Sequence, residues 1–387
     1  MYKLNESIEA LYCIKCGAKY DVEDFYYGCP KCYERGERAS LGFIYNNSKI
    51  VKADGVGIQK YSNRLPYIDL PSMGEGNTPV VSIDRLAEDL ELKSVHVKNE
   101  FQNPTGSHKD RMSPLIIARA KELGKNVVVA ASSGNAGSSL AAYAAYAGLE
   151  CKIIATDKIT PIWKKSITAT GADLVITETS RERWQYMKEQ VETEGWYPVT
   201  NFISPPVSSN CFGVQGYKTV AYEIYDYFGD NIPDYLFVPV ARGDLMWGIY
   251  EGLKELKELS YITEIPKIVA VEPFTRISKV LNGVDYRTEF DGEYGKTESI
   301  GGGTVTYQSY VAVKESNGFA VEVYQDEIEN NINEIARYGF YLESSSATVL
   351  GGLRKAIANG RILKGSSVLL IATSNGFKNM PVEGTRN

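Results

Sequence analysis

The chain has 387 residues, of which 43% are hydrophobic and 23% are charged, and its 42 Lys and Arg against 48 Asp and Glu give a net charge of −6. This length predicts two lobes and an appendage rather than one small module, and the composition excludes a disordered or fibrous chain. The acidic balance argues against nucleic acid or an anionic membrane surface as the main partner, and a small-molecule substrate is expected instead.

The start of the chain indicates where the protein works. The first ten residues, MYKLNESIEA, lack the basic start and the apolar run of a secretory signal. No stretch approaches the roughly 20 apolar residues that a bilayer span requires. We therefore expect a cytoplasmic protein without a membrane partner.

The cysteines are clustered near the N-terminus, where four of the six occur as two Cys-x-x-Cys pairs separated by twelve residues. The four residues are Cys13, Cys16, Cys29 and Cys32. Gly17 follows the first pair and Pro30 lies inside the second, which suits tight turns around a tetrahedral ion. Four thiolates fill the shell of a zinc ion, so the pattern predicts a structural zinc ribbon with no catalytic position. The alternatives are a ribbon that has lost its metal and a cytosolic redox pair.

From about residue 94 the chain alternates short apolar runs with amphipathic segments, which is typical of repeated β-α-β units. Strands are predicted at 94–100, 126–131, 151–156, 173–177, 235–240, 267–273 and 367–373, and helices between them. The pattern predicts an α/β fold, an open and mostly parallel sheet with helices on both faces. Sites are expected where the strands end.

Three junctions that follow predicted strands carry candidate site residues. The loop NPTGSHKDR at 103–111 delivers Lys109 to the start of a helix, and the loop SSGN at 132–135 precedes a helix of small residues. A loop of the second kind lets backbone N–H groups and hydroxyls approach a carboxylate or phosphate. The third junction, ARGD at 241–244, also enters a helix and suits a phosphate. The alternatives are a solvated lysine and ordinary close-packed turns.

Five motifs occur in the order and at the spacings of one enzyme family. They are GEGNTP at 74–79, NPTGSHKDR at 103–111, SSGN at 132–135, LESSSA at 342–347 and TSNGFK at 373–378. In these motifs, which extend over almost the whole chain, the sequence resembles the threonine synthases, members of the tryptophan-synthase-β-like class of pyridoxal 5′-phosphate enzymes. Some members also carry an N-terminal cysteine ribbon. The resemblance implies two lobes of open, mostly parallel sheets.

We expect three parts in such a chain. Residues 1–45 form the zinc-ribbon-like segment, residues 46–109 and 211–387 form the larger cofactor-binding lobe, and residues 110–210 form a smaller, mobile lobe with the asparagine loop. The family's habit implies a homodimer.

The resemblance also implies roles for individual residues. Lys109 forms the Schiff base with the cofactor aldehyde and moves protons at the substrate's Cα. Asn135 donates to the 3′-oxygen of the cofactor ring, and the hydroxyl of Thr373 faces the pyridine nitrogen, which favours elimination or replacement over transamination. The expected cofactor-phosphate residues are Ala241, Arg242, Gly243 and Asp244. The expected substrate residues are Thr78, Ser132, Ser133, Gly134 and Arg242.

Departures from the family pattern concern the phosphate loop most. Relatives carry a Gly/Asn-rich loop resembling GNGGN, where this chain has ARGDL at 241–245. Backbone N–H groups at a helix entrance can still cradle a phosphate, but Asp244 adds a negative charge there. Arg242 either offsets that charge through a bidentate contact with the phosphate or pairs with Asp244. His108 and Asn379 stand where many relatives carry Phe and Asp.

The preferred function is pyridoxal-phosphate-dependent elimination and replacement on an amino acid, with conversion of O-phosphohomoserine to threonine and phosphate as the nearest reaction. Candidate cations for the leaving phosphate are Arg111, Lys164, Lys165, Lys218 and Arg242. The alternatives are β-replacement on O-phosphoserine, as in cysteate synthase, and a threonine/serine dehydratase. Two alternatives come from other classes, a non-catalytic protein that retains the cofactor fold and a zinc-ribbon nucleic-acid binder, and the net charge disfavours the second.

Overall fold

A computed structural model describes residues 2–46 and 49–378, so Asn379 lies outside the described residues. The strands are β1 (Ile8–Cys13), β2 (Lys19–Tyr20), β3 (Leu41–Tyr45), β4 (Val80–Ser82), β5 (Ser94–Asn99), β6 (Val127–Ala131), β7 (Glu150–Thr156), β8 (Asp173–Thr177), β9 (Tyr197–Pro198), β10 (Tyr235–Pro239), β11 (Lys267–Glu272), β12 (Phe319–Glu322) and β13 (Ser367–Ala372). The helices are α1 (Pro30–Glu34), α2 (Asp84–Asp89), α3 (Ser113–Glu122), α4 (Asn135–Ala147), α5 (Pro161–Thr168), α6 (Ser180–Thr193), α7 (Cys211–Val214), α8 (Lys218–Phe228), α9 (Asp244–Glu258), α10 (Ile277–Leu281), α11 (Tyr307–Glu315), α12 (Ile328–Ala336) and α13 (Ser344–Ala358). None of these helices combines the length and the apolar composition that a bilayer span needs.

Within the described ranges the strands form three sheets. A small antiparallel sheet has the order β2-β1-β3. A six-stranded sheet has the order β12-β11-β10-β13-β5-β4 and is parallel except for β4. A four-stranded parallel sheet has the order β8-β7-β6-β9. The predicted α/β fold of mostly parallel sheets is confirmed.

Strand β10 shows why helices cover both faces of the six-stranded sheet. Leu236 and Val238 pack into one hydrophobic core, whereas Tyr235 and Phe237 pack into another. Successive side chains of a strand point to opposite faces, so a continuous apolar run requires cover on both. Helices α8, α9 and α11 contribute to the first core, and helices α2, α12 and α13 contribute to the second.

A buried ion network fixes the segment that follows β5. The guanidinium of Arg111 donates to Glu100 at 2.6 Å and to Glu223 of α8 at 2.7 Å. Lys98 donates to the same Glu223 at 2.6 Å, and all four side chains are buried. Arg111 therefore anchors its loop to α8. The expectation that it serves the leaving phosphate is wrong, because its donors are already held by carboxylates.

The N-terminal segment is fastened to both larger sheets. Asp24 accepts hydrogen bonds from Arg119 of α3 at 2.7 Å and from Tyr197 of β9 at 2.6 Å. On the other side, the hydroxyl of Tyr286 donates to the carbonyl of Arg38 at 2.9 Å. The segment thus contacts elements that belong to the four-stranded and the six-stranded regions.

Candidate active site

Lys109 lies in the 3₁₀ turn His108–Arg111, which follows β5 and leads into α3. Its Nζ donates to the hydroxyl of Tyr217 at 3.2 Å and lies 5.4 Å from the centre of that ring. Removal from water lowers the pKa of Lys109 to about 8, while the nearby charge of Asp244 opposes the shift. No carboxylate in the described part of the chain forms an ion pair with this amine. Lys109 is therefore an amine that readily becomes neutral, as a nucleophile toward an aldehyde must.

The end of β13 meets the Lys109 turn. The backbone N–H of His108 donates to the carbonyl of Thr373 at 3.0 Å, and Thr373 N–H donates to Ser346 at 2.8 Å. Burial and the positive charge of Lys109 hold the pKa of His108 well below its usual range, so the imidazole is neutral. Its ring lies 5.7 Å from that of Tyr217. The buried hydroxyl of Thr373 bonds to no residue that the structure describes and is free for a ligand.

Asn135 begins α4 and joins three other elements. Its Nδ2 donates to Glu343 at 2.8 Å, and its Oδ1 accepts from Lys378 at 2.7 Å and from Ser374 at 3.3 Å. Glu343 also accepts from Ser299. Burial lowers the pKa of Lys378 to about 8, opposed by the charge of Glu343. The amide of Asn135 is thus held in one orientation by a lysine and a carboxylate.

The serines before α4 use their oxygens as acceptors. Ser132 Oγ accepts from the N–H groups of Gly134 and Gly137 at 3.3 and 3.1 Å. Ser133 Oγ accepts from Thr156 N–H at 3.2 Å and from Arg183 Nη1 at 3.4 Å. Each hydroxyl therefore keeps its proton available for an anion. The arrangement suits a carboxylate at the helix N-terminus.

The hydrogen bonds of Asp244 show whether this residue of the 241–244 loop pairs with Arg242. Its carboxylate accepts from the hydroxyls of Ser208 and Ser209 at 2.9 and 2.7 Å, and from Gln308 at 2.9 Å. The alternative in which Asp244 pairs with Arg242 is wrong, because these three groups occupy the carboxylate.

Gly243 allows the same loop to pack closely against α11. It has φ +84°, and an added Cβ would lie 2.4 Å from the Cβ of Ser309. Only glycine fits such a position without strain. The loop therefore packs tightly against Ser309 and leads directly into α9, whose first N–H groups have no partner within the helix.

The other residues expected to bind the substrate or the leaving phosphate differ in whether they are available to a ligand. The hydroxyl of Thr78 is buried and donates to Glu100 at 2.6 Å, inside the Arg111 network. Lys218 is buried and donates to Glu255 at 2.8 Å, so it is not available to a leaving phosphate and that expectation is wrong. Lys164 and Lys165 are exposed on α5. Of the five candidate cations, all within the described residues, Arg242 alone is neither exposed nor paired with a carboxylate.

Sequence reasoning assigned no role to several residues that the structure places here. Glu343 and Lys378 lie inside two of the five family motifs, so the sequence placed them near the site. It did not show that both bond to Asn135. No sequence pattern indicated that Tyr217 and Arg183 belong to the site. They contact Lys109 and Ser133 from segments far away in the chain.

Comparisons with known proteins agree on a single family. The family described as "Pyridoxal-phosphate dependent enzyme" matches residues 71–374. The threonine synthase of Methanocaldococcus jannaschii is 30% identical over 384 residues, covering 95% of this chain and 92% of that protein. The threonine synthase of Halalkalibacterium halodurans is 31% identical over 326 residues, covering 83% of this chain and 89% of that protein.

Solved structures support the fold. The processed form of threonine deaminase isoform 2 from Solanum lycopersicum aligns with a TM-score of 0.66 at 21% identity, covering 79% of this chain and 84% of that one. Cysteine synthase from Entamoeba histolytica aligns with a TM-score of 0.63 at 23% identity, covering 80% and 90%. Because the family match and the relatives at about 30% identity extend over most of its length, this chain belongs to the family of pyridoxal-phosphate dependent enzymes.

Proposed function

We propose that the protein converts O-phosphohomoserine and water to threonine and phosphate through elimination and replacement. The observation that carries the proposal is Lys109, a partly buried amine with a pKa lowered to about 8, which lies in the turn that contacts the end of β13. The relatives named threonine synthase, which align over most of their length, support the same substrate class.

The site fits pyridoxal phosphate. Lys109 would hold the aldehyde carbon, Asn135 the 3′-oxygen and Thr373 the pyridine nitrogen, since the Thr373 hydroxyl has no other described partner. The N–H groups of residues 241–244 and the side chain of Arg242 would hold the phosphate, because hydrogen bonds from Ser208 and Gln308 hold the carboxylate of Asp244 and leave Arg242 without an ion-pair partner among the described residues. When bound, the cofactor supplies an electron sink for the pair left at Cα after loss of a proton.

Individual residues of the chain would carry out different steps of the reaction. The neutral amine of Lys109 removes the Cα proton and returns protons at neighbouring carbons, while the hydroxyl of Tyr217 accepts its hydrogen bond and limits its position. Neutral His108 adds no second positive charge beside that amine. Loss of a proton from Cβ, also to Lys109, would supply the electron pair that breaks the Cγ–O bond and releases phosphate. A proton then adds at Cγ, water adds its hydroxyl at Cβ and a proton returns to Cα, so one water is consumed for each phosphate released.

The substrate's carboxylate would bind before α4. The free hydroxyl protons of Ser132 and Ser133, the backbone at Gly134 and the positive end of the helix dipole all favour an anion there. Thr78 would support this site indirectly, through the network that positions the Lys109 loop.

The reaction is tested by incubating purified holoenzyme with O-phosphohomoserine, O-phosphoserine or threonine. We expect phosphate and threonine in equal amounts from O-phosphohomoserine, measured by a phosphate assay and by amino-acid chromatography. Phosphate from O-phosphoserine alone would move the protein to β-replacement. A 2-oxo acid from threonine alone would make it a dehydratase, and no product from any of them would favour a non-catalytic role.

We further propose that the four N-terminal cysteines bind a structural zinc ion. All four sulfurs lie within 4.8 Å of one another, and the Cys13–Cys32 and Cys16–Cys29 pairs are 3.6 and 3.7 Å apart. Four thiolates at about 2.3 Å from a tetrahedral zinc would be separated by about 3.8 Å, so the observed geometry fits this ion.

Metal analysis is expected to find about one zinc per chain. Replacing Cys13 and Cys16 together with Ser should remove the metal and lower the melting temperature, because metal binding stabilises the folded segment. Replacing the buried Cys151, which is outside the cluster, provides the control. A metal-free wild-type protein, or a double variant with unchanged stability, would contradict the zinc site.

The remaining proposals concern the organisation of the molecule. All strands of the four-stranded sheet lie within 110–210, and all strands of the six-stranded sheet lie outside that range, which supports the lobe boundaries expected from the sequence. Mobility of the smaller lobe, a homodimer and a cytoplasmic location remain proposals inferred from the family resemblance and the sequence.

A further inference from the structure

The first turn of α6 presents two donors that have no acceptor. Arg183 Nε and Trp184 Nε1 are buried, and neither bonds to a residue that the structure describes. Arg183 Nη1 makes a long contact of 3.4 Å with Ser133, in the loop expected to bind the substrate's carboxylate. Buried donors are usually satisfied, so two unsatisfied donors on consecutive residues indicate an absent acceptor-rich ligand.

Arg242 approaches the same place from the loop before α9. Its guanidinium carbon lies 5.8 Å from the centre of the Trp184 ring, within the range of a cation–π contact. Within residues 2–46 and 49–378, its guanidinium makes no hydrogen bond and no ion pair. Arg242 therefore lies against the residue that follows Arg183 in α6, and its charge acts on Arg183.

The electrostatics of this pair are unfavourable without an anion. Removal from water, together with the positive charge of Arg242, lowers the pKa of Arg183 to about 10. A cation in the first turn of α6 also opposes the helix dipole, which favours negative charge at that end. Among the described residues no carboxylate pairs with either guanidinium.

We propose that Arg183 and Arg242 together bind one phosphomonoester dianion between the 132–135 loop and the 241–244 loop. Planar guanidinium groups suit this ligand, because each can donate two parallel hydrogen bonds to phosphate oxygens. The inference rests on the proposed function and adds Arg183 as a residue that determines specificity. The phosphate belongs either to the substrate or to the cofactor, and the chemistry of recognition is the same for both.

The test compares Arg183→Gln with Arg181→Gln, which changes an exposed arginine on the same helical turn. Calorimetric titration of each holoenzyme with inorganic phosphate measures the site directly, and titration of each apoenzyme with pyridoxal phosphate measures cofactor affinity. We expect Arg183→Gln to weaken one of these affinities by about tenfold or more. Arg181→Gln should leave both unchanged.

The two titrations identify the source of the phosphate. Weaker binding of inorganic phosphate to holoenzyme, with unchanged cofactor affinity, assigns the site to the substrate. Weaker cofactor binding alone assigns it to the cofactor. Arg183→Lys, which keeps the charge but loses the bidentate fork, should recover only part of the affinity and shows that the effect is not a folding defect.

The proposal is overturned if Arg183→Gln changes neither affinity. If the wild-type protein turns over O-phosphohomoserine and Arg183→Gln binds phosphate and cofactor normally, the anion site is wrong and the proposed function stands. Conversely, phosphate binding that depends on Arg183 in a protein without turnover would keep the anion site and remove the proposed reaction.

Discussion

Replacing Lys109 with alanine is expected to reduce turnover of O-phosphohomoserine by about 10³-fold or more, since proton transfer by a positioned group and covalent attachment would be lost together. No other lysine of residues 2–46 and 49–378 bonds to Tyr217, since Lys378, the other lysine of the site, donates to Asn135 instead. Initial rates of phosphate release from the two proteins measure the effect.

The matched controls are Lys164→Ala and Lys165→Ala, which remove exposed lysines of α5. These variants should stay within about twofold of the wild type, since exposed side chains away from such features rarely matter. A Lys109→Ala protein that retains a substantial fraction of the wild-type rate would contradict the catalytic role. Melting curves of all three variants exclude a general loss of folding.

Replacing Arg111 with methionine is expected to destabilise the fold by about 3–5 kcal/mol, since breaking a buried ion network leaves uncompensated charge. Arg111 contacts the carboxylates of Glu100 and Glu223, and the variant would leave Lys98 as the cation beside them. The loop that carries Lys109 would lose its anchor to α8. Chemical denaturation, followed by tryptophan fluorescence and by circular dichroism, measures the change.

The control for that prediction is Arg354→Met. Arg354 pairs with Glu334 on the surface, where the arginine side chain is 42% exposed and water screens the charges. Its removal should change stability by about 0.5 kcal/mol or less. Equal effects of the two substitutions would show that the Arg111 network does not support the fold as inferred.

From residue 94 onward, the sequence predicted the described strands of five or more residues and missed the shorter ones. Strand β8 occupies the predicted residues 173–177, and β10 ends one residue before the predicted boundary at 240. The continuous apolar run of β10 follows from its burial on both faces, whereas β8 lies at a sheet edge and has no fully buried residue. Strands β4, β9 and β12 were not predicted, because they are two to four residues long and lie at sheet edges.

The candidate site could be predicted only as far as local sequence determines geometry. Lys109 and Asn135 follow strands within recognisable motifs, so their approximate place was accessible. The partners of Arg111 and Lys218 were not, because Glu223 and Glu255 lie 112 and 37 residues further along the chain. A charge in a sequence does not reveal whether another charge already neutralises it. For the same reason the sequence did not indicate Arg183, because only the structure shows that its buried Nε has no partner among the described residues.

Attachment of pyridoxal phosphate tests the central claim most directly. The wild-type holoenzyme is reduced with borohydride, digested and analysed by mass spectrometry to locate the pyridoxyl group. We expect one modified residue per chain, Lys109, and no modified peptide from Lys109→Ala. Modification of Lys378, whose pKa is also lowered to about 8, or of any other lysine in the wild-type protein would contradict the account.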